Sequence, residues 1–76
     1  MLSEHERVVL KTPLPQVALE VGDVGTIVHV YADGGAFEVE FMALDGHTIA
    51  VVTLDANQVR PVTRLDMTHA REVQPS

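Results

Sequence analysis

Hydrophobic and polar residues alternate most clearly over Ala36-Phe37-Glu38-Val39-Glu40-Phe41-Met42, with Phe37, Val39 and Phe41 on one side and Glu38 and Glu40 on the other. A period of two places successive side chains on opposite faces of a strand, so this stretch predicts a half-buried β-strand. Glu6 to Lys11 predicts an earlier strand, and Asp23 to Tyr31 predicts the one around which the others are arranged. Thr26 to Tyr31 is almost entirely β-branched or aromatic, which suits a pleated surface and crowds the turn of a helix. Thr48-Ile49-Ala50-Val51-Val52-Thr53-Leu54 is apolar on both faces, the pattern of a strand covered on both sides or bending between two sheet halves. Val59-Arg60-Pro61-Val62 predicts a short last strand, with Pro61 marking an edge or an end.

The connections carry turn chemistry. Gly22-Asp23 opens the organising strand, and Gly25 inside it marks a bulge or a close backbone approach. Asp33-Gly34 and Asp45-Gly46 sit between β-rich runs and predict tight hairpins. Thr12-Pro13-Leu14-Pro15 breaks the first strand, and Gln16 to Val21 predicts a loop or one short helical turn anchored inward by Leu14, Leu19 and Val21. Asp55-Ala56-Asn57-Gln58 predicts one 3₁₀ turn with Asp55 as its N-cap. Residues 1–5 are expected to fray. Residues 63–76 form a tail whose Leu65 to Arg71 segment either makes two helical turns or wraps the sheet, with Val73 to Ser76 loose.

These elements predict an all-β protein: a small SH3-like barrel of about five strands over residues 6–62, with one 3₁₀ turn before the last strand. An OB-type barrel needs a helix between its third and fourth strands, and the Asp45-Gly46 turn leaves no room for one.

Length and composition narrow the function classes. The 76 residues suffice for one domain and leave little depth for an enclosed active site. There is no cysteine, so disulfides and thiolate metal sites are absent and a cytoplasmic location is expected. The first residues lack the basic run and apolar segment of a signal peptide. No apolar run approaches the roughly 20 residues of a membrane helix. Eleven acids against five bases give a formal charge of −6, the opposite of what phosphate contacts require. Such a surface serves solubility or meets a basic partner.

Gly22 to Tyr31, Phe37-Glu38-Val39-Glu40-Phe41, and Thr53-Leu54 through Arg60-Pro61 together resemble the bacterial domain-of-unknown-function family 4926, over roughly residues 6–62. That resemblance implies a small stand-alone protein, sometimes encoded beside other uncharacterised small proteins, an arrangement that suits an antitoxin- or immunity-like partner. It implies no activity, cofactor or catalytic residue. Gly25-Thr26-Ile27-Val28 is also similar to the Gly-x-Val core of KOW-type domains, some of which bind RNA or ribosomal partners, although so short a likeness reflects barrel geometry more than function.

Candidate chemistry is sparse. Glu38 and Glu40, with His29 on the neighbouring strand, are the candidate metal ligands, set against the simpler expectation that they form the wet half of an amphipathic strand. His29 is expected across from Glu38 or Glu40. The histidines His5, His29, His47 and His69 show no metalloprotease spacing. Ser3 and Ser76, the only serines, lie in the ends, where no rigid base can activate them. Gly34-Gly35 leads into a strand and not a helix N-terminus, so it is no phosphate loop. Lys11, Arg60, Arg64 and Arg71 make either a small basic patch or a set of balancing ion pairs. No catalytic residue and no cofactor is expected. The expected function is a non-enzymatic module, monomer or homodimer, that binds another protein through Tyr31, Ile49, Val51, Arg60 and Arg64, together with the tail. A KOW-type nucleic-acid-associated domain and a small metal-binding protein are the alternatives.

Overall fold

The computed structural model describes residues 2–73. Five strands form one antiparallel sheet: β1 (Arg7–Leu10), β2 (Val24–Tyr31), β3 (Ala36–Met42), β4 (Thr48–Asp55) and β5 (Val59–Pro61). Their spatial order is β4-β3-β2-β1-β5, so β4 and β5 are the two edges of an open sheet. Two 3₁₀ turns complete the regular structure, Pro15–Val17 and Ala56–Gln58, and no α-helix occurs among the described residues. The all-β expectation therefore holds, and the 3₁₀ turn stands before the last strand where Asp55 and Gln58 place it. The Asp55 N–H donates to Gln58 Oε1 at 2.7 Å, which closes that turn locally.

The core lies on one face of the sheet. Val8 and Leu10 from β1, Ile27 from β2, Phe37, Val39 and Phe41 from β3, Leu54 from β4 and Val59 from β5 make one buried cluster. Cross-strand register explains the grouping: Gly25 faces Val8 and Phe41, Ile27 faces Val39, and Val39 faces Val52. Among the described residues no second sheet or α-helix covers this face, yet Val8, Leu10, Ile27 and Val39 are fully buried. The sheet must therefore curl around its own apolar side. Register shifts between Ile27 and His29 and between Phe41 and Met42 supply bends of the kind that let a sheet do so.

Leu14 and Leu19 close one end of the core. They exchange two backbone hydrogen bonds, at 2.9 and 3.1 Å, across the short 3₁₀ turn, and both are buried. Val21, expected beside them, is 61% exposed, because it and Gly22 are the central residues of the turn that the Asp23 N–H closes on the Glu20 carbonyl at 3.1 Å. Gly25 is the close approach that its position implies. A Cβ there would lie 2.6 Å from Val39 Cγ1 and 2.9 Å from Phe41 Cε2.

Two local expectations need correction, and the tail takes the second of its two expected forms. β4 is not covered on both sides; it is an edge strand, and Val51 is 49% exposed. The N-terminal stretch does not fray throughout, since the His5 N–H donates to the Ile27 carbonyl at 2.7 Å; Met1 lies outside the described residues. The Leu65 to Arg71 segment forms no helix, only a turn at Arg64-Leu65 followed by irregular chain. The expected looseness of Val73 to Ser76 concerns residues that, beyond Val73, lie outside those described.

Candidate interaction surface

The tail leaves β5 and returns across the sheet, tied at two points. Asp66 makes the first. Its carboxylate accepts two hydrogen bonds from the Arg60 guanidinium, at 2.8 and 3.0 Å, and one from the Thr63 N–H at 2.7 Å. Arg60 and then the Thr63 N–H hold the Asp66 carboxyl far below the usual carboxylate range. Arg71 makes the second tie. It donates through Nε to Asp23 Oδ1 at 2.9 Å, through the guanidinium to the other Asp23 oxygen, and to the Ala18 carbonyl at 3.0 Å. Glu20 stands 3.6 Å from the same guanidinium. Each tie joins a residue of the sheet domain to a residue of the tail.

Between the ties, Met67-Thr68-His69-Ala70 forms a strap without regular structure, and all four residues are exposed. Beneath it lies a cleft of about 300 Å³, walled on the sheet side by Val24, Phe41 and Met42, at one end by Leu44 and Ile49, and on the tail side by Val62 and Met67. Ten large apolar side chains of the described chain are exposed, and five of them (Val24, Met42, Leu44, Val62 and Met67) line this one cleft. Concentrated exposed apolar surface of this kind marks interaction sites, whereas scattered single residues do not. The cleft's charges are largely spent: Asp23 is held by Arg71, and Asp66 by Arg60. Arg7 also lines it and makes no ion pair among the described residues.

The pH dependence of the second tie follows from Asp23. Burial alone would raise its pKa, but the Arg71 and Glu20 hydrogen bonds outweigh burial and hold it below the ordinary value. A carboxyl depressed in the folded state contributes its stabilisation fully above the unfolded value of about 3.9, and loses it as pH falls through the lower folded value. The strap is therefore expected to stay anchored at neutral pH and to release only below about pH 4. Arg71→Ala should release it at pH 7. Methyl NMR signals of Met67 and Ala70 would then move to random-coil positions while that of Ile27 stays put. Unchanged Met67 and Ala70 signals in Arg71→Ala would show that the tie does not hold the strap.

The residues singled out from sequence fall into three places. Ile49 lines the cleft, and Arg60 holds the strap's first tie. Val51 lies on the outer sheet face opposite Glu40, and Arg64 is exposed at the turn. Tyr31 is distant from the cleft lining and packs edge-on against the His29 ring, with centroids 4.7 Å apart. His29 does face Glu38 across the ladder, as expected. Its nearest carboxylate oxygen, however, belongs to Glu4, at 3.8 Å. Glu38 accepts a hydrogen bond from the Thr53 hydroxyl, and Glu40 one from the Thr48 hydroxyl. Among the described residues no three His, Cys, Asp or Glu side chains gather as a metal site would need. Lys11, Arg60, Arg64 and Arg71 do not make one basic patch, since Arg60 and Arg71 are committed to separate carboxylates.

Sequence reasoning named Arg60 and Arg71 as balancing charges, which they are, but missed their partners Asp66 and Asp23 and most of the cleft lining. The available signal was Met67, a large apolar residue standing alone between Asp66 and Thr68 with no strand periodicity to absorb it.

A comparison with curated proteins and one with solved structures each give no match. The family model for "Domain of unknown function (DUF4926)" matches residues 4–61, which takes in all five strands and Asp23 but stops short of the strap. With most of its length covered, from the N-terminal turn to Pro61, the chain belongs to the DUF4926 family.

Proposed function

We propose that this protein is a non-enzymatic protein-interaction module that receives an apolar segment of another protein in the cleft between sheet and strap. The observation that carries the proposal is the gathering of five exposed apolar side chains around one cleft whose outer wall is tied at both ends. Arg7 adds a cation at the rim, so the segment that fits best is apolar with an acidic neighbour. An antitoxin- or immunity-like pairing is one form of this reading. The strand order and the 3₁₀ turn before β5 fit an SH3-like arrangement, and the lack of cysteine fits a cytoplasmic location. No helix among the described residues is long and apolar enough to cross a membrane.

The test is affinity capture from source cells with the wild-type chain and with a Leu44→Asp/Met67→Asp variant, each with and without nuclease. Both positions are more than four-fifths or nearly nine-tenths exposed, at 83% and 87%, so the variant is expected to fold normally. The expected result is a nuclease-resistant protein retained by the wild type and lost by the variant. Capture that vanishes with nuclease would favour the KOW-type alternative instead, and salt-sensitive binding weakened at Arg60 or Arg64 would support it.

A further inference from the structure

The two sheet edges are protected very differently. β5 is three residues long, ends at Pro61, and leads straight into the turn that Asp66 ties back to Arg60. β4 is eight residues long and, among the described residues, its only neighbour in the sheet is β3. From Thr48 to Leu54 it contains no lysine, proline, glycine or charge. Edge strands normally carry such residues because an unpaired row of N–H and C=O groups is a template for another strand. Its composition, rich in β-branched residues, favours that pairing.

We propose that β4 pairs antiparallel with β4 of a second copy of this chain, across a two-fold axis normal to the sheet at Val52, joining two five-stranded sheets into one. Such an axis maps each sheet face onto itself, so residues in the regular part of the strand that oppose one another must share a face. Ala50 to Asp55 is that regular part, because the register shift between Phe41 and Met42 makes Ile49 the extra residue and sets Thr48 opposite Met42. Centring on Val52 uses the whole strand. Val52 meets its own copy, Ala50 meets Leu54, and both pairs lie on the core face. Val51 meets Thr53 on the outer face. With Ile49 set aside as the bulge, Thr48 meets Asp55, a hydroxyl against a carboxylate. Centring on Val51 would instead bring His47 against Leu54, a polar ring against a buried leucine. The Val52 register opposes no like charges, which matters in a chain of charge −6. A second copy therefore fits this edge without alteration. The dimer does not require the cleft to bind anything, because the only β4 residue that lines the cleft is Ile49, the bulged residue outside the paired set.

A seam of one strand per copy is smaller than the roughly 800 Å² per partner of a standard stable interface, so the dimer should be weak and concentration-dependent. Sedimentation equilibrium of the full chain is expected to show an average mass that rises with concentration toward twice that of the monomer. Val51→Lys should abolish the rise. It places a lysine opposite Glu40 within the same sheet, which favours the fold, and brings two lysines close across the two-fold axis. Because the chain has no cysteine, single-cysteine variants report the register cleanly. Val52→Cys should form an intermolecular disulfide faster than Val51→Cys, because only position 52 opposes itself within the 4.4–6.8 Å Cα span that a disulfide accepts, a roughly strand-to-strand distance. A chain that stays monomeric at millimolar concentration would overturn the proposal. So would a folded Val51→Lys variant that still dimerises, or faster cross-linking at position 51. Protection of β4 amides that appears only when a different protein binds would assign the edge to that partner and overturn self-pairing.

Discussion

Phe37→Ala is expected to unfold this domain, or nearly so. Phe37 lies on the core face near the β2–β3 hairpin, 2% exposed, between Val30 on β2 and Leu54 on β4. Truncating a buried phenylalanine removes its transfer free energy and leaves a cavity, together about 3–5 kcal/mol. A chain of this length has about 4–11 kcal/mol of total stability, at about 0.05–0.15 kcal/mol per residue. The loss is thus comparable with the whole. Urea denaturation followed by far-ultraviolet circular dichroism should show little or no folded baseline for Phe37→Ala. Val28→Ala, at a position 40% exposed, should shift the midpoint by no more than about 0.5 kcal/mol equivalent. A Phe37→Ala midpoint equal to that of the wild type would mean that the core has been located wrongly.

Gly25→Ala should destabilise through the opposite cause, excess volume. The added Cβ would sit 2.6 Å from Val39 Cγ1 and 2.9 Å from the Phe41 ring. Both neighbours are buried and neither is the free end of a flexible chain, so the strands must part or the ring must leave its rotamer. Overpacking of this kind costs about 1–3 kcal/mol. Combining Gly25→Ala with Val39→Ala is the discriminating step. If the collision with Val39 is the cause, the double variant should lose less stability than the two single variants added together. Strict additivity in thermal melts would place the defect elsewhere, in the glycine's backbone freedom.

Much of this architecture is legible in the chain because short-range physics dictates it. Phe37, Val39 and Phe41 alternate with Glu38 and Glu40, and the structure buries the first set and leaves the second partly wet. Gly34 and Gly46 adopt the positive φ that their Asp-Gly pairs imply. Asp55 and Gln58 close their 3₁₀ turn through each other. What was hidden depends on contacts distant in sequence. Arg71 finds Asp23 across 48 positions, and neither residue carries a local mark of that meeting. β4 was misjudged for another reason. A strand apolar on both faces looks the same whether neighbours cover it or its edge stands open, because periodicity reports faces and not edges. The cleft was illegible because its walls come from β2, β3, β4 and the tail, and periodicity within each strand does not show which of their residues the fold brings together.

Docking of another protein in the cleft under the strap is the proposed function. A photo-activated cross-linking amino acid placed singly at Met67, at Leu44 and at Val28 in the full chain, expressed in source cells and irradiated, tests it most directly. Met67 and Leu44 line the cleft, and Val28 is exposed on β2 away from it. The expected result is one and the same cross-linked protein from positions 67 and 44 and none from 28. Cross-links to nucleic acid, or the same protein trapped equally from Val28, would contradict the account.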